Sequence, residues 1–207
     1  HYLRNFLVSE CPNDGILGEE YGHIQYSSKD HKRTWVIDPL DHTRHFARGN
    51  PEYGTLIALL VDEQPCVGVV SAPSLHQRWW AAKGVGAWAN QRKIEVSAVI
   101  SLSSAHLVIA GHREWLDRYD WKKVSMLLNH VEYSYGTPGG FMPAMMVASG
   151  QLDAFVEPWG SIWDHSATAI IVEEAGGKAS TLTGTAPIGS SLIVSNGLLH
   201  NELLDYF

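Results

Sequence analysis

Two neighbouring apolar segments constrain the fold of this chain more than any other feature of its sequence. Residues 54–61 (GTLIALLV) and 66–72 (CVGVVSA) are apolar and rich in residues that favour strands, and the polar segment 62–65 (DEQP) separates them. Two such segments on either side of a short turn predict a β-hairpin. The first half of the chain is therefore expected to contain a sheet.

Further strands and helices are predicted along the rest of the chain. Strands are predicted at 78–82, 94–97, 106–110, 131–135, 152–156, 178–183 and 192–195. Helices are predicted at 113–129, at 140–150, and after Trp163-Asp164 up to Gly176-Gly177. Strands first and mixed elements later predict a layered α/β or α+β fold. We expect a sheet-rich N-terminal half over 1–104, with metal-binding motifs, and a C-terminal α/β half over 105–207 that completes the site.

The composition of the chain argues against several classes of protein. Of 207 residues, 45% are hydrophobic and 18% are charged, which are values of a globular protein and not of a disordered chain. The formal net charge of −7 argues against nucleic acid or an anionic membrane as the main partner. Two cysteines make no disulfide framework, and no membrane span or signal peptide is visible. We therefore expect a cytoplasmic protein.

Acidic residues are grouped where predicted elements begin or end. The three groups are Gly18-Glu19-Glu20, Asp38-Pro39-Leu40-Asp41 and Trp163-Asp164. Hard divalent cations such as Mg²⁺ take oxygen ligands, usually a few carboxylates with water and substrate phosphate. The proline stiffens the second group, so that Asp38, the Leu40 carbonyl and Asp41 could converge on one point, and Thr43 could orient a water. Together with a helix that opens after Asp41, these groups are typical of metal-assisted phosphate ester hydrolysis.

Each acid taken alone has a simpler interpretation. Asp41 and Asp164 can be helix caps, Asp38 can be a turn former, and Glu19-Glu20 can be a solvated pair. The metal interpretation depends on all three groups occurring together.

That combination resembles the inositol monophosphatase superfamily. The family pattern is a GEE element, then W-[VI]-[IV]-D-P-[IL]-D-G-T-x-N-F, then W-D-x-A-A with a later E-A-G-G. The matching segments here are 18–20, 35–46, 163–167 and 174–177, in the same order across nearly the whole chain. The segment 68–88, with GVVSAP and RWWAAKGVGAW, is similar to the histidinol-phosphatase branch. The resemblance implies the layered αβαβα architecture of this family.

The resemblance also implies roles for individual residues. The first Mg²⁺ would be held by Glu19, Asp38 and the Leu40 carbonyl, and a second ion by Asp38, Asp41 and Asp164. Thr43, with Glu19 or Glu20, would orient and activate the attacking water. The substrate would lie against Asp41, His42, Thr43, Arg44, Glu157 and Asp164, with Glu157 facing its organic part.

The sequence departs from the family pattern at several positions. His42 replaces the glycine of D-G-T, where the backbone approaches phosphate closely, and we expect its imidazole to donate to a phosphate oxygen. His45 replaces an asparagine. With His165, these histidines could ligate a transition metal, although hydrogen-bonded or exposed histidine is the favoured interpretation for a chain with 11 of them. Segment 135–143 (YGTPGGFMP) lacks the arginine of the branch pattern, and the helical pair that precedes GEE in the family is expected to be absent.

We expect an Mg²⁺-dependent phosphatase with two or more ions that converts L-histidinol phosphate to L-histidinol in histidine biosynthesis. Inositol 1-phosphate or another sugar-alcohol phosphate is the alternative substrate. A catalytically weakened relative that only binds its ligand is the alternative of a different class. The expected partner is a small phosphorylated metabolite, without nucleic acid or membrane, and the resemblance implies a homodimer.

Overall fold

A computed structural model gives the structure of the chain and describes residues 2–20, 22–24, 32–186 and 189–207. The strands before residue 95 are β1 (Gly15–Gly18), β2 (Gly22–Ile24), β3 (Arg33–Asp41), β4 (Gly54–Val61), β5 (Gln64–Ala72), β6 (Gln77–Ala82), β7 (Gly86–Ala89) and β8 (Arg92–Ile94). The later strands are β9 (His106–Ala110), β10 (Tyr133–Thr137), β11 (Ala154–Glu157), β12 (Lys178–Ser180) and β13 (Leu192–Ser195). The helices are α1 (Tyr2–Glu10), α2 (Thr43–Phe46), α3 (His112–Arg118), α4 (Trp121–His130), α5 (Phe141–Ala148), α6 (Ile162–Glu174) and α7 (His200–Leu204).

The strands of the described residues form two sheets. The first has eight strands in the order β2-β1-β3-β4-β5-β6-β7-β8, and the second has five in the order β10-β9-β11-β13-β12. The first sheet is antiparallel except where β1 runs parallel to β3. In the second sheet β9 runs parallel to both of its neighbours, and β13 runs antiparallel to β11 and β12.

The sheets and helices stack in five layers, which confirms the predicted layered α/β fold. Leu7 of α1 packs on Ile16 and Ile37 at one face of the first sheet. Helices α5 and α6 fill the space between the sheets. Helices α3, α4 and α7 cover the far face of the second sheet. The two-residue period of a strand explains this arrangement, because neighbouring side chains of β9 point into different cores on its two sides.

Helix α6 is buried on all sides over most of its length because it lies between the two sheets. Its residues from His165 to Val172 are all buried, as expected for a helix with no solvent-facing surface over that length. This layer brings the first turn of α6 close to the end of β3, where the second group of acids lies.

The predicted hairpin is confirmed as β4 and β5. The turn is shorter than the predicted segment 62–65, because Gln64 and Pro65 pair with Val61 and Leu60. Only Asp62 and Glu63 lie outside the ladder, with φ angles of 49° and 66°. A two-residue turn with positive φ matches the twist of the two strands.

Several predicted elements have different bounds in the structure. The predicted helix 113–129 is two helices, because Asp120 leaves the helical conformation and its side chain accepts a hydrogen bond from the Lys122 N–H at 3.0 Å. That bond begins α4. The strand predicted at 94–97 ends at Ile94, the one predicted at 178–183 ends at Ser180, and the one predicted at 131–135 is shifted to Tyr133–Thr137.

The N-terminal region contains a helix where none was predicted. Among the described residues, helix α1 is the single helix before Gly18, where the family pattern has a helical pair. The other elements that the sequence analysis missed are β1, β2, β3, β7 and α7. No helix in the described part of the chain combines the length and hydropathy that crossing a bilayer requires.

Close contact between α6 and the first sheet depends on Gly68 of β5. A Cβ atom at this position would lie 2.5 Å from Ile170 Cγ2 and 2.7 Å from the Ala167 carbonyl oxygen. The second of these atoms belongs to the helix backbone and cannot turn away. Any side chain at Gly68 would therefore push α6 away from the sheet.

We expect Gly68→Ala to lower the free energy of unfolding by about 1–3 kcal/mol through overpacking. Urea denaturation at equilibrium measures this change. Gly189→Ala is a matched control, because its new Cβ would meet its nearest atom at 3.6 Å, an ordinary contact. Equal stability of the two variants would contradict the close packing of α6 on β5.

Candidate active site

The end of β3 presents two carboxylates on one side of the strand. The pairing of β3 with β4 shifts between Asp38 and Asp41, which marks an irregularity at the intervening Pro39 and Leu40. The Leu40 N–H donates to Asp38 Oδ1 at 2.9 Å, and the Thr55 hydroxyl donates to the Pro39 carbonyl at 2.9 Å. The irregularity interrupts the strict alternation of the strand, so both acids can face one point.

Two helices begin at these acids. The N–H of Phe141, the first residue of α5, donates to Asp41 Oδ2 at 2.9 Å. Asp164 lies in the first turn of α6, and its Oδ2 accepts from the Ser161 N–H at 2.7 Å. The capping interpretation of the sequence analysis is therefore confirmed for Asp164, which forms a capping box with Ser161. It is wrong for Asp41 as a cap of the helix that follows it, because the N-cap of α2 is His42 and Asp41 instead accepts from the start of α5. Capping also brings the carboxylates together, because each helix start holds one of them in place.

Asp38, Asp41 and Asp164 form one cluster. Each offers a carboxylate oxygen, and these oxygens lie within 4.8 Å of one another. Asp38 is 1% exposed. Burial, and next the negative charge of Asp41, raise the pKa of Asp38 to about 8. Burial also raises the pKa of Asp164 to about 6, although the Ser161 N–H opposes this shift.

The cluster fits a divalent cation. Like charges at this separation disfavour ionisation unless a proton or a cation neutralises them. The donors are carboxylate oxygens, which hard divalent ions prefer. Burial is the main cause of the elevated pKa values of Asp38 and Asp164, and the charge of Asp41 adds to the shift of both. These three side chains could therefore bind a metal ion.

Glu19 and Glu20 follow β1, which runs beside β3. Both side chains are exposed, and the Glu19 N–H donates to the Ile37 carbonyl at 3.4 Å. The charge of Glu19 contributes to the raised pKa of Asp38, after burial and Asp41. Glu20 lies beside a cavity that α1 and Pro39 also line. Of the two, Glu19 is thus the residue whose charge acts on the aspartate cluster.

The short helix α2 starts directly after Asp41. Thr43 and Arg44 are exposed on it, and the Thr43 hydroxyl donates to the Leu40 carbonyl at 2.9 Å. The predicted metal-binding carbonyl of Leu40 therefore also positions the predicted water-orienting hydroxyl. The predicted helix after Asp41 is confirmed, but it has a single turn.

His42 has a backbone conformation that glycine adopts more readily than other residues. Its φ and ψ are 64° and 43°, in the left-handed region. Its Nε2 lies 2.6 Å from the Gly139 carbonyl oxygen, and its Nδ1 lies 3.1 Å from the Glu52 carbonyl oxygen. The predicted hydrogen bond from the ring to a phosphate oxygen is not supported by this geometry, because both nitrogens face backbone carbonyls. The ring instead holds two loops together.

Glu157 lies buried at the end of β11, beside α6. Its Oε2 is 3.2 Å from His165 Nε2, and its Oε1 accepts from the Gly140 N–H at 3.2 Å. The charge of Glu157 is among the effects that raise the pKa of Asp164. His165 therefore pairs with Glu157, which keeps it from joining His42 and His45 as a metal ligand. The sequence analysis missed this pair, and the one available signal was a histidine directly after Asp164.

Comparisons with known proteins agree on one family over nearly the whole chain. The sequence model of the inositol monophosphatase family matches residues 1–206. A histidinol-phosphatase of Mycobacterium tuberculosis is 41% identical over 208 residues, which cover 98% of this chain and 78% of that protein. A histidinol-phosphatase of Streptomyces coelicolor is 39% identical, over 99% of this chain and 79% of that protein. A solved inositol monophosphatase from Anabaena superposes with a TM-score of 0.87 at 28% identity, over 99% of this chain and 82% of that one.

Asp38→Asn should stabilise the metal-free protein at pH 8. The folded pKa of Asp38 is raised to about 8 from an ordinary 3.8, so the folded protein holds a proton that the unfolded chain releases over that window. The stability of the parent therefore falls as pH rises from about 4 to about 8. The amide cannot ionise, and its oxygen still accepts from the Leu40 N–H. We expect a gain of more than about 1.4 kcal/mol, the equivalent of one pKa unit.

Urea denaturation with EDTA at pH 5 and pH 8 measures this gain, which should shrink at pH 5. Asp153→Asn is the matched control, since Asp153 is also buried but both of its oxygens accept hydrogen bonds, from the Ser97 hydroxyl and the His106 N–H. An amide would leave one of these donors without its acceptor, so the control should lose stability at both pH values. A loss in Asp38→Asn at pH 8 would contradict the crowding of the aspartates.

His42→Ala should lower the free energy of unfolding by about 0.5–1.5 kcal/mol, since it removes the hydrogen bond between Nε2 and the Gly139 carbonyl and keeps the strained backbone. His76→Ala is the control, because His76 has a similar φ of 52° but its side chain is exposed. That variant should remain within about 0.5 kcal/mol of the parent. Thermal unfolding of both variants in EDTA provides the measurement. An equal loss of stability in the two variants would contradict a stabilising contact between the His42 ring and the Gly139 loop.

Proposed function

Because this chain belongs to the inositol monophosphatase family and is a phosphoric monoester hydrolase, we propose that its substrate is L-histidinol phosphate and its cofactor Mg²⁺. The observation that carries the proposal is the convergence of three aspartates in a chain that is 41% identical to a histidinol-phosphatase. Relatives of this kind act on small phosphorylated metabolites, and the proposed reaction releases L-histidinol and phosphate.

The aspartate cluster would hold at least two Mg²⁺ ions together with Glu19 and the Leu40 carbonyl. Bound there, the cations supply Lewis-acid charge at the phosphoryl group. The exposed Thr43 would orient the attacking water, and the carboxylate of Glu19 or Glu20 would accept its proton. Arg44, exposed on α2, would attract the phosphate. The protein's own contribution is therefore position and charge, with the acids held by strand β3 and by the starts of two helices.

Glu157 is the residue that would distinguish the two candidate substrates. L-histidinol phosphate carries an ammonium group, whereas the organic part of inositol 1-phosphate is uncharged. A buried carboxylate is attracted to a cation more strongly than to a hydroxyl. Glu157 has oxygen lone pairs beyond those used by Gly140 and His165. It would accept a hydrogen bond from the substrate ammonium.

A homodimer, a cytoplasmic location and the lack of nucleic-acid or membrane partners remain part of this proposal. The net charge of −7 supports the last point, and the free thiols Cys11 and Cys66 fit a reducing compartment. Inositol 1-phosphate is the second candidate substrate, favoured by the superposition on an inositol monophosphatase. A weakened ligand-binding relative is the third possibility and would release no phosphate from either ester.

We expect Mg²⁺-dependent phosphate release from L-histidinol phosphate to exceed that from inositol 1-phosphate. EDTA or Asp164→Asn should abolish both reactions. Glu157→Gln should lower kcat/KM for histidinol phosphate about tenfold or more, the effect of about 1.4 kcal/mol, and should change the inositol ester less. Steady-state phosphate assays provide the values, with Glu132→Gln as the control because Glu132 is exposed on another surface.

A preference for inositol 1-phosphate, or an equal loss for both esters in Glu157→Gln, would reject histidinol phosphate as the selected substrate. Activity that survives EDTA and Asp164→Asn would reject the metal assignment. An absence of phosphate release from either ester would favour the ligand-binding relative.

A further inference from the structure

A second group of metal-ligating side chains lies beside the aspartate cluster. His42, His45 and Glu52 each offer one ligand atom, and these atoms lie within 4.8 Å of one another. None of the three belongs to the aspartate cluster. We propose that they bind one divalent transition-metal ion, of which Zn²⁺ is the representative case.

The hydrogen bonds of His42 leave a nitrogen that faces only oxygen acceptors. Its Nε2 lies 2.6 Å from the Gly139 carbonyl, which can only accept, so Nε2 carries a proton. Its Nδ1 then lies 3.1 Å from the Glu52 carbonyl and 3.7 Å from Glu52 Oε1, which are two more acceptors. In the neutral ring the lone pair of Nδ1 points at the lone pairs of these two Glu52 oxygens, and they repel one another. A cation between them would turn the repulsion into three favourable contacts.

His45 brings a further donor to the same place. The single turn of α2 places residues 42 and 45 on one face, and their ring centroids are 4.3 Å apart. Nδ1 of His45 is buried, and among the described residues it has no hydrogen-bond partner. A buried ring nitrogen without a partner is costly, and coordination of a metal would satisfy it if that nitrogen is the ligand.

The loop after α2 carries Glu52 back over the two rings. The Asn50 N–H donates to the His45 carbonyl at 3.0 Å, and the Asn50 side chain accepts from the Glu52 N–H at 2.9 Å. The site is partly closed to solvent, since the His42 side chain is 9% exposed and the Glu52 side chain is 32% exposed. Backbone and side-chain bonds thus hold Glu52 near the histidine pair in the absence of any ion.

The donor atoms select a different ion from that of the aspartate cluster. Two imidazoles and one carboxylate are a known zinc-ligand set, with a fourth position open to water. Mg²⁺ prefers oxygen ligands, whereas imidazole suits Zn²⁺, Cu²⁺ and Ni²⁺. Ligating histidines commonly donate their other ring N–H to a carbonyl, which is the bond between His42 and Gly139. The proposed ion would tie His42, the residue after Asp41, and His45 of α2 to the loop at Glu52.

Co²⁺ is the probe for this site, because it can replace Zn²⁺ and its visible spectrum reports the number and type of its ligands. The full chain is titrated with Co²⁺ in excess Mg²⁺. We expect one equivalent with the strong visible bands of a four- or five-coordinate site that contains nitrogen. Glu52→Gln and His45→Gln should each weaken Co²⁺ binding by at least about tenfold, since even the loss of an outer hydrogen bond costs that much.

Two control variants separate this site from other Co²⁺ ligands. Asp164→Asn disables the aspartate cluster and should leave the visible bands unchanged. His76→Gln removes an exposed histidine and should also leave them unchanged. Neither result depends on turnover of any phosphate ester, so failure of the proposed substrate would not affect this test.

Three outcomes would overturn the proposal. One is a parent protein without nitrogen-ligated Co²⁺ bands, which would mean that the histidine pair and Glu52 do not bind the ion. Another is equal Co²⁺ affinity in the parent and in Glu52→Gln, a substitution at a side chain that is one-third exposed and should not disturb folding. The last is loss of the bands in Asp164→Asn but not in His45→Gln, which would assign the ion to the aspartates.

Discussion

The crowding of three carboxylates at the junction of β3, α5 and α6 is the constraint that the rest of the structure serves. Asp38, Asp41 and Asp164 repel one another, and burial amplifies the repulsion. The fold offsets part of this cost, because α5 and α6 begin at the cluster and direct backbone N–H groups at Asp41 and Asp164. Burial and the charge of Asp41 raise the pKa of Asp38 to about 8, so the metal-free protein favours a protonated Asp38 below that pH. The three carboxylates therefore lower the stability of the metal-free protein, and a bound cation would restore that stability.

The packing of α6 shows how far this requirement extends from the acids themselves. Asp164 reaches the cluster only if the first turn of α6 approaches the end of β3. That approach requires the middle of the helix to lie directly on the first sheet, where Gly68 has no side chain to separate them. A glycine in a strand usually weakens the strand. Here the glycine is explained by the Asp164 carboxylate, which lies three and six residues before the contacted Ala167 and Ile170.

The loop at Gly139-Gly140 explains how a histidine is tolerated where the family has glycine. The two glycines have φ angles of 104° and 84°. A Cβ atom at Gly140 would lie 2.2 Å from His42 Nε2, and one at Gly139 would lie 2.1 Å from Glu157 Oε1. The ring at residue 42 and the two glycines therefore fit one another in this chain. The ring fills space that the glycine loop leaves open.

Much of the site could be predicted from the sequence because its parts are local. The acid groups each lie at the end of an element, and the segment 35–46 contains a strand, a turn and a helix start in order, so motif reading identified the family that the comparisons confirm. The contacts of the side chains could not be predicted in the same way. His42 meets Gly139, which is 97 positions away in the chain, and His165 meets Glu157 across two elements. Such pairs depend on packing, which has no local signature.

The left-handed backbone conformation of His42 allows the aspartate cluster and the group of His42, His45 and Glu52 to lie next to each other as separate sets of ligands. Asp41 and His42 are neighbours in sequence. An imidazole among the aspartate oxygens would favour transition metals over Mg²⁺, because imidazole nitrogen suits transition metals and Mg²⁺ prefers oxygen ligands. The positive φ of His42 is compatible with a ring whose nitrogens face Gly139 and Glu52. The aspartate cluster then keeps an oxygen-only donor set, and the histidines form a separate one. A backbone strain of about 1–2 kcal/mol at one residue is the energetic cost of keeping nitrogen donors out of the hard-ion site.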